Sequence, residues 1–164
     1  MKKRNTTLYL TRGALIAAIY IALTTLSAIV GLSSGVIQFR ISEALCILPI
    51  FLPEAIPGLF IGCLLSNRLF GGVIWDILFG AIATLIGAVG ARLLRKLPEK
   101  LKFIATLPTV IANAVIVPFV LIYAYGAPDS YAFIMLTVAI GEIVCASVGG
   151  TALYYLIKRS KLIR

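Results

Sequence analysis

The sequence predicts an all-α integral membrane protein of six transmembrane helices, the second and third short and joined at a proline-rich turn, with both termini cytoplasmic. Three observations carry that prediction. The first is composition: 61% of the 164 residues are hydrophobic and 13% charged, with a mean hydropathy of +1.07, against roughly 45–50% apolar content in soluble domains. The second is the placement of the 15 Lys and Arg residues. All but Arg40 and Arg68 fall in three clusters: Lys2, Lys3, Arg4 and Arg12; Arg92, Arg95, Lys96, Lys100 and Lys102; and Lys158, Arg159, Lys161 and Arg164. Short loops rich in Lys and Arg stay cytoplasmic, so the three clusters are assigned to one side and an even number of crossings lies between them. The third is the stretch from Ile37 to Asn67, a membrane-grade apolar run that carries Arg40, Glu43, Glu54, Pro49, Pro53 and Pro57.

The first helix is expected over 8–30. Its apolar part, Gly13 to Val30, exceeds the roughly 7–15 residues of a cleavable signal segment, so an uncleaved span is the expectation. Ala14, Ala18 and Ala22 recur every four residues beside Gly13 and Ala17, giving a small-residue face against which a helix can pack closely. Two readings of that face are open: packing inside this subunit, and docking of a different protein.

Parity then decides the next stretch. Between Arg12 and Arg92 there are three apolar runs, and an even count requires the middle one to fold back. Pro53 and Pro57 bracket Glu54, and proline removes backbone donors and biases its predecessor away from helix. The break gives segments over 40–53 and 55–67, each about 20 Å long and short of the ~30 Å hydrocarbon core. They are either short tilted spans or a re-entrant pair. The fold-back turns Glu54 toward the cytoplasm and gathers Arg40, Glu43, Asn67, Arg68 and Asp76 toward the outside. A fourth helix is expected over 73–95. The fifth and sixth, over 102–124 and 130–158, are separated by the Gly/Pro/Asp turn from Tyr125 to Ser130. Residues 1–164 form a single polytopic membrane domain with no room for a soluble catalytic one.

Charged side chains at membrane depth cost about 2.5–3.5 kcal/mol each on insertion scales, which makes them functional candidates by default. Arg40 and Glu43, three apart, either pair with each other or act on a ligand, Glu43 accepting its donors and Arg40 orienting it or closing the site. Glu142 lies near mid-depth of the last helix with no basic residue nearby in sequence; an NH-bearing ligand would supply its partner. Asn113, at comparable depth, is either interhelical glue or a ligand contact. Asn67 and Asp76 flank the segment NRLFGGVIWD, as a helix C-cap and a first-turn acid or as site residues. Trp75 is either an interfacial belt residue or a ring that stacks on a flat heterocycle. Tyr123, Tyr125 and Tyr131 are read as belt. Together these residues offer many acceptors and few cations, which suits a neutral or cationic molecule with clustered NH donors, such as a guanine-like edge.

Several chemistries are disfavoured. There is no His, which removes His-based metal sites and triads. Cys46, Cys63 and Cys145 lack metal or redox spacing and are read as small apolar fillers. No GxxxxGK[ST] loop occurs, so any ATP dependence must come from partner proteins. The chain is expected to be no enzyme and to hold neither metal nor cofactor itself.

Four runs carry a family resemblance: QFRISEALCILPIFLPEAIPGLFIGCLLSN (Gln38 to Asn67), WDILFGAIATLIGA (Trp75 to Ala88), LPTVIANAVIV (Leu107 to Val117) and VAIGEIVCASVGG (Val138 to Gly150). Over nearly its whole length the chain resembles the QueT transporter family, queuosine-precursor S components of energy-coupling factor (ECF) transporters. That resemblance implies a six-helix subunit of the prokaryotic plasma membrane that captures a 7-deazaguanine compound from outside the cell. It also implies association with a transmembrane coupling subunit and two cytoplasmic ATPases, with Ala14, Ala18 and Ala22 as the docking surface. The substrate-binding set would be Glu43, Glu142, Asn67, Asp76, Asn113, Arg40 and Trp75. Arg68 departs from the small or apolar residue expected in the outer loop. The rival expectation is a stand-alone secondary transporter coupling a small heterocyclic or cationic solute to ions through Glu43, Glu54 or Glu142.

Overall fold

The computed structural model describes residues 5–31 and 39–160; Lys2, Lys3, Arg4, Lys161, Arg164 and the beginning of the Ile37 stretch lie outside the described residues. Every regular element among the described residues is helical. Four stretches are long and apolar enough to cross a membrane: Thr6–Ile29, Ile74–Lys96, Glu99–Tyr125 and Tyr131–Ser160. Two shorter apolar helices, Ile41–Ile50 and Ala55–Leu69, lie between the first and second of them.

We label the α-helices α1 (Thr6–Ile29), α2 (Ala55–Leu69), α3 (Ile74–Leu93), α4 (Leu107–Tyr125), α5 (Tyr131–Glu142) and α6 (Gly150–Ser160). Their limits follow from local chemistry. Phe51 to Glu54 turn the chain between the two short helices, and Pro57 falls in the first turn of α2, where a missing N–H costs no helical bond. Gly126 ends α4 in the left-handed region at φ 67°, a conformation that glycine adopts without penalty. Ser130 caps α5 by accepting from the Phe133 N–H.

Two elements depart from the plain α-helices that the sequence predicts. Ile41–Ile50 is a 3-10 helix, so its ten residues cover about 20 Å where an α-helix would cover about 15 Å. It is held at both ends: α1 hydroxyls bind its start, and the Arg92 guanidinium donates to the carbonyls of Pro49 and Ile50 at 3.0 and 3.1 Å. The second departure is a π-helical stretch, Ile143–Gly149, that begins at the residue after Glu142 and joins α5 to α6. Where it meets α6, Gly149 and Gly150 lie against Ala44 and Ile47 of the 3-10 helix.

Close packing relies on small residues. A Cβ on Gly58 would come within 2.6 Å of the Gly13 carbonyl oxygen, and one on Gly62 within 2.9 Å of Tyr20 Cβ and 3.1 Å of the Ala17 carbonyl oxygen. Gly13 and Ala17 therefore carry the α1–α2 contact. Ala14, Ala18 and Ala22 are left exposed on the other side of α1, which removes the internal-packing reading for these three. Large apolar side chains such as Leu15, Ile19, Leu78, Ile82, Ile111 and Val115 also face outward, as expected of helices whose solvent is lipid.

One end of the bundle collects the basic residues. Arg12 pairs with the nearly buried Glu54 at 3.2 Å, and Lys158 pairs with Glu99. Lys102 lies over the Tyr154 ring, which stacks on Phe51. With Arg92 on Pro49 and Ile50, members of all three clusters thus come together at the end that carries the Phe51 to Glu54 turn. Gly58→Ala places a methyl group against the Gly13 carbonyl and is expected to destabilise the protein by about 1–3 kcal/mol. Thermal unfolding in detergent measures it, and an unchanged midpoint would show that α1 and α2 are not packed this closely.

Candidate functional site

At the other end and middle of the bundle, polar side chains converge from six elements. Glu43, in the first turn of the 3-10 helix, is 2% exposed. Its carboxylate accepts from Tyr20 OH of α1 at Oε1 and from Cys46 S–H at Oε2, the latter at 3.3 Å. Arg40 precedes that helix in extended conformation, so it does not share a helical face with Glu43. Its guanidinium donates instead to Asn67 Oδ1 of α2 at 3.2 Å.

Asn67 is the hub of the end opposite the basic residues. Its amide nitrogen donates to the Asp76 carbonyl at 3.2 Å, while its backbone carbonyl accepts the Gly72 N–H at 2.9 Å. Two glycines make room for it: a Cβ on Gly80 would lie 2.7 Å from Asn67 Nδ2, and one on Gly72 would lie 2.8 Å from its carbonyl oxygen. Tyr125 OH of α4 continues the chain, donating to Asp76 Oδ2 at 3.1 Å and accepting the Val73 N–H at 3.2 Å. Arg40, Asn67, Asp76 and Tyr125 thereby tie the 3-10 helix, α2, α3 and α4 together by polar contacts.

Glu142 faces the same centre from the end of α5. It lies within electrostatic reach of Glu43 and Arg40 and beside Asn113 of α4, and both Glu142 and Asn113 are buried. Yet Glu142 Oε2 and Asn113 Nδ2 have no hydrogen-bond partner among the described residues, and neither has Thr109 Oγ1, one turn away on α4. Buried polar atoms are paired in the great majority of cases. Asn113 lies close enough to Glu142 to interact with it, but these open atoms, next to a second carboxylate, leave hydrogen-bonding capacity that a polar ligand could use.

A sequence profile of the QueT transporter family matches residues 10–159. The chain belongs to the QueT transporter family. Among curated proteins, it is similar to the "Queuosine precursor transporter QueT" of Lactococcus lactis subsp. cremoris, with 35% identity over 85 residues, 51% of this chain and 49% of the relative. The alignment thus spans about half the length of each. No solved structure matches the chain. Both names describe transport rather than catalysis, and with several long apolar helices they make this QueT member a multi-pass protein of the cell membrane.

Of the candidate residues, the structure brings together Arg40, Glu43, Asn67, Asp76, Asn113 and Glu142, and leaves Trp75 apart. Trp75 is more than half exposed and stacks on Phe79. Both line an apolar groove of about 470 Å³ between α3 and α4, with Ile116, Phe119 and Tyr123. Being consecutive on a helix, Trp75 and Asp76 point about 100° apart, so only the acid turns toward Asn67. Arg68 is exposed at the end of α2 and disturbs nothing.

Three residues given no site role by sequence reasoning join this polar cluster. Tyr125, read as a belt residue, is bonded to Asp76. Cys46, read as filler, donates to Glu43. Tyr20 is fully buried on Glu43; its helical spacing to Thr24 and Ser27 was the available signal. Gly80→Ala drives a methyl group into the Asn67 amide and is expected to destabilise the protein by about 1–3 kcal/mol. Thermal melting of the purified variant measures this, and a midpoint equal to the parent's would remove the close approach on which the Asn67 geometry depends.

Proposed function

We propose that this QueT family member is the S component of an ECF-type importer, which captures a 7-deazaguanine precursor of queuosine outside the cell. The observation that carries the reading is the buried cluster of Glu43, Glu142 and Asn113 with open hydrogen-bonding capacity at Glu142 Oε2 and Asn113 Nδ2. A guanine-type edge presents adjacent N–H donors and a carbonyl acceptor. Carboxylate oxygens suit the donors, the asparagine amide suits the carbonyl, and a pendant aminomethyl group suits the second acid. The name of the Lactococcus relative, a queuosine precursor transporter, points to the same compound class.

Capture involves no bond chemistry. The ligand enters from the outer end, where the Arg40, Asn67, Asp76 and Tyr125 chain spans four elements, and displaces water from the carboxylates beneath. The basic end lies in the cytoplasm, in keeping with the positive-inside rule. Delivery inward is driven by ATP bound to partner ATPases, through a coupling subunit that seats on the exposed Ala14, Ala18 and Ala22 face of α1. Exposure of these alanines, while Gly13 and Ala17 serve the internal contact, favours that seat. The protein itself contributes binding energy and position, with no cofactor of its own.

Glu43→Gln and Glu142→Gln each exchange a charged acceptor for a neutral amide, an effect of about 1.5–3 kcal/mol. Each is expected to weaken binding of 7-aminomethyl-7-deazaguanine roughly 10- to 100-fold by isothermal titration, with membrane insertion intact; parent-like affinity in both would refute the site. Ala18→Trp fills the small face and is expected to abolish copurification with ATPase subunits while leaving ligand affinity unchanged. Accumulation of the compound by proteoliposomes containing this chain alone under an ion gradient would instead identify a stand-alone secondary transporter.

A further inference from the structure

Tyr20, Thr24 and Ser27 lie at i, i+4 and i+7, which places them on one face of α1. All three are buried. Each meets a consecutive residue of the 3-10 helix: Tyr20 OH donates to Glu43 Oε1, Thr24 Oγ1 and Ser42 Oγ share a hydrogen bond of 2.9 Å, and Ser27 Oγ accepts the Ile41 N–H at 3.1 Å. The first turn of the ligand-facing segment is thus held in register by one stripe of hydroxyls.

We infer that Tyr20 is a positioning residue for ligand recognition, acting through Glu43, and that α1 holds the binding segment on one face while presenting its small-residue face on the other. Among the described residues Glu43 has two protein donors. One is the Cys46 thiol, a weak donor; the other is the Tyr20 hydroxyl, which therefore fixes the plane of the carboxylate. Carboxylate oxygens retain acceptor capacity beyond one bond each, so Glu43 meets a ligand N–H while still bonded to Tyr20. Tyr20 cannot retreat from this contact, because a Cβ on Gly62 of α2 would already lie 2.9 Å from Tyr20 Cβ. Ligand specificity in this account belongs to the oriented pair, not to Glu43 alone.

The inference rests on the proposed function for its ligand, and its test separates the two. Binding of 7-aminomethyl-7-deazaguanine is titrated against the full chain in lipid nanodiscs for the parent, Tyr20→Phe, Glu43→Ala and the double variant. Tyr20→Phe is expected to weaken binding about tenfold, and adding it to Glu43→Ala is expected to weaken binding less than about twofold further, since the hydroxyl acts through the missing carboxylate. Parent-like affinity in Tyr20→Phe, or multiplicative losses in the double variant, would overturn the inference. A ligand-independent arm uses infrared spectroscopy to identify the Glu43 carboxylate band from the parent minus Glu43→Ala difference. That band is expected to shift in Tyr20→Phe and to stay in place in Tyr123→Phe, which alters an exposed tyrosine. Failure of the parent to bind the compound overturns the proposed substrate, while the band still decides Tyr20; a band unmoved by Tyr20→Phe overturns the role of Tyr20 whether or not ligand binds. Should Tyr20→Phe fail to fold, Thr24→Val cuts the adjacent tie and is expected to weaken binding several-fold and shift the same band, with no change in either counting against the inference.

Discussion

Two carboxyl groups held inside an apolar helical bundle, Glu43 and Glu142, set the terms for the rest of this structure. Removing charge or polarity from water is costly unless hydrogen bonds or opposite charge replace the lost solvation. Glu43 meets that requirement locally, with a tyrosine hydroxyl from α1 and a thiol from its own turn. At Glu142, Oε2 has no hydrogen-bond partner among the described residues. Arg40 is within electrostatic reach of both acids but donates to Asn67, at the end away from the basic residues, so the centre keeps open acceptor capacity. That imbalance is what sets the centre apart from a structural salt bridge.

The irregular elements serve the same centre. A 3-10 helix brings Glu43 into the bundle and spans farther per residue than an α-helix, reaching from the α1 hydroxyls to Arg92. A π-helical stretch directly after Glu142 re-aims the last helix past the 3-10 segment, where Gly149 and Gly150 allow close approach. Such stretches are frequent at functional sites because the extra residue shifts side-chain directions without ending the helix. The regular helices α1 to α4 meanwhile pack through glycine and alanine contacts that need no polar compensation in lipid.

Much of this was legible in the sequence because its signals are local. Hydropathy and proline placement revealed an all-helical chain with short helices around Phe51 to Glu54, and the spacing of the acids drew attention to Glu43 and Glu142. Arg40 and Glu43 read as an i, i+3 pair, yet Arg40 lies outside the helix and finds Asn67, because tertiary contacts rather than spacing direct its side chain. Trp75 lay beside Asp76 in sequence and still faces outward, since neighbouring helical residues diverge. Tyr125 reads as a belt residue and Tyr20 carries no signal of its own in the sequence, and only the juxtaposition of α1 with the 3-10 helix, and of α4 with α3, gives them roles. That Ala14, Ala18 and Ala22 do not make the internal contact emerged only once Gly13 and Ala17 were seen to pack against α2.

The central claim is that the unfilled centre between Glu43, Asn113 and Glu142 is a capture site for a heterocycle with a guanine-type edge. Native mass spectrometry of the protein released directly from its own membrane, after growth with a 7-deazaguanine precursor, tests it most directly. The account predicts one bound molecule with the mass of that compound, lost in the Glu142→Gln variant. A bound molecule lacking such an edge, or equal retention of the precursor by Glu142→Gln, would contradict it.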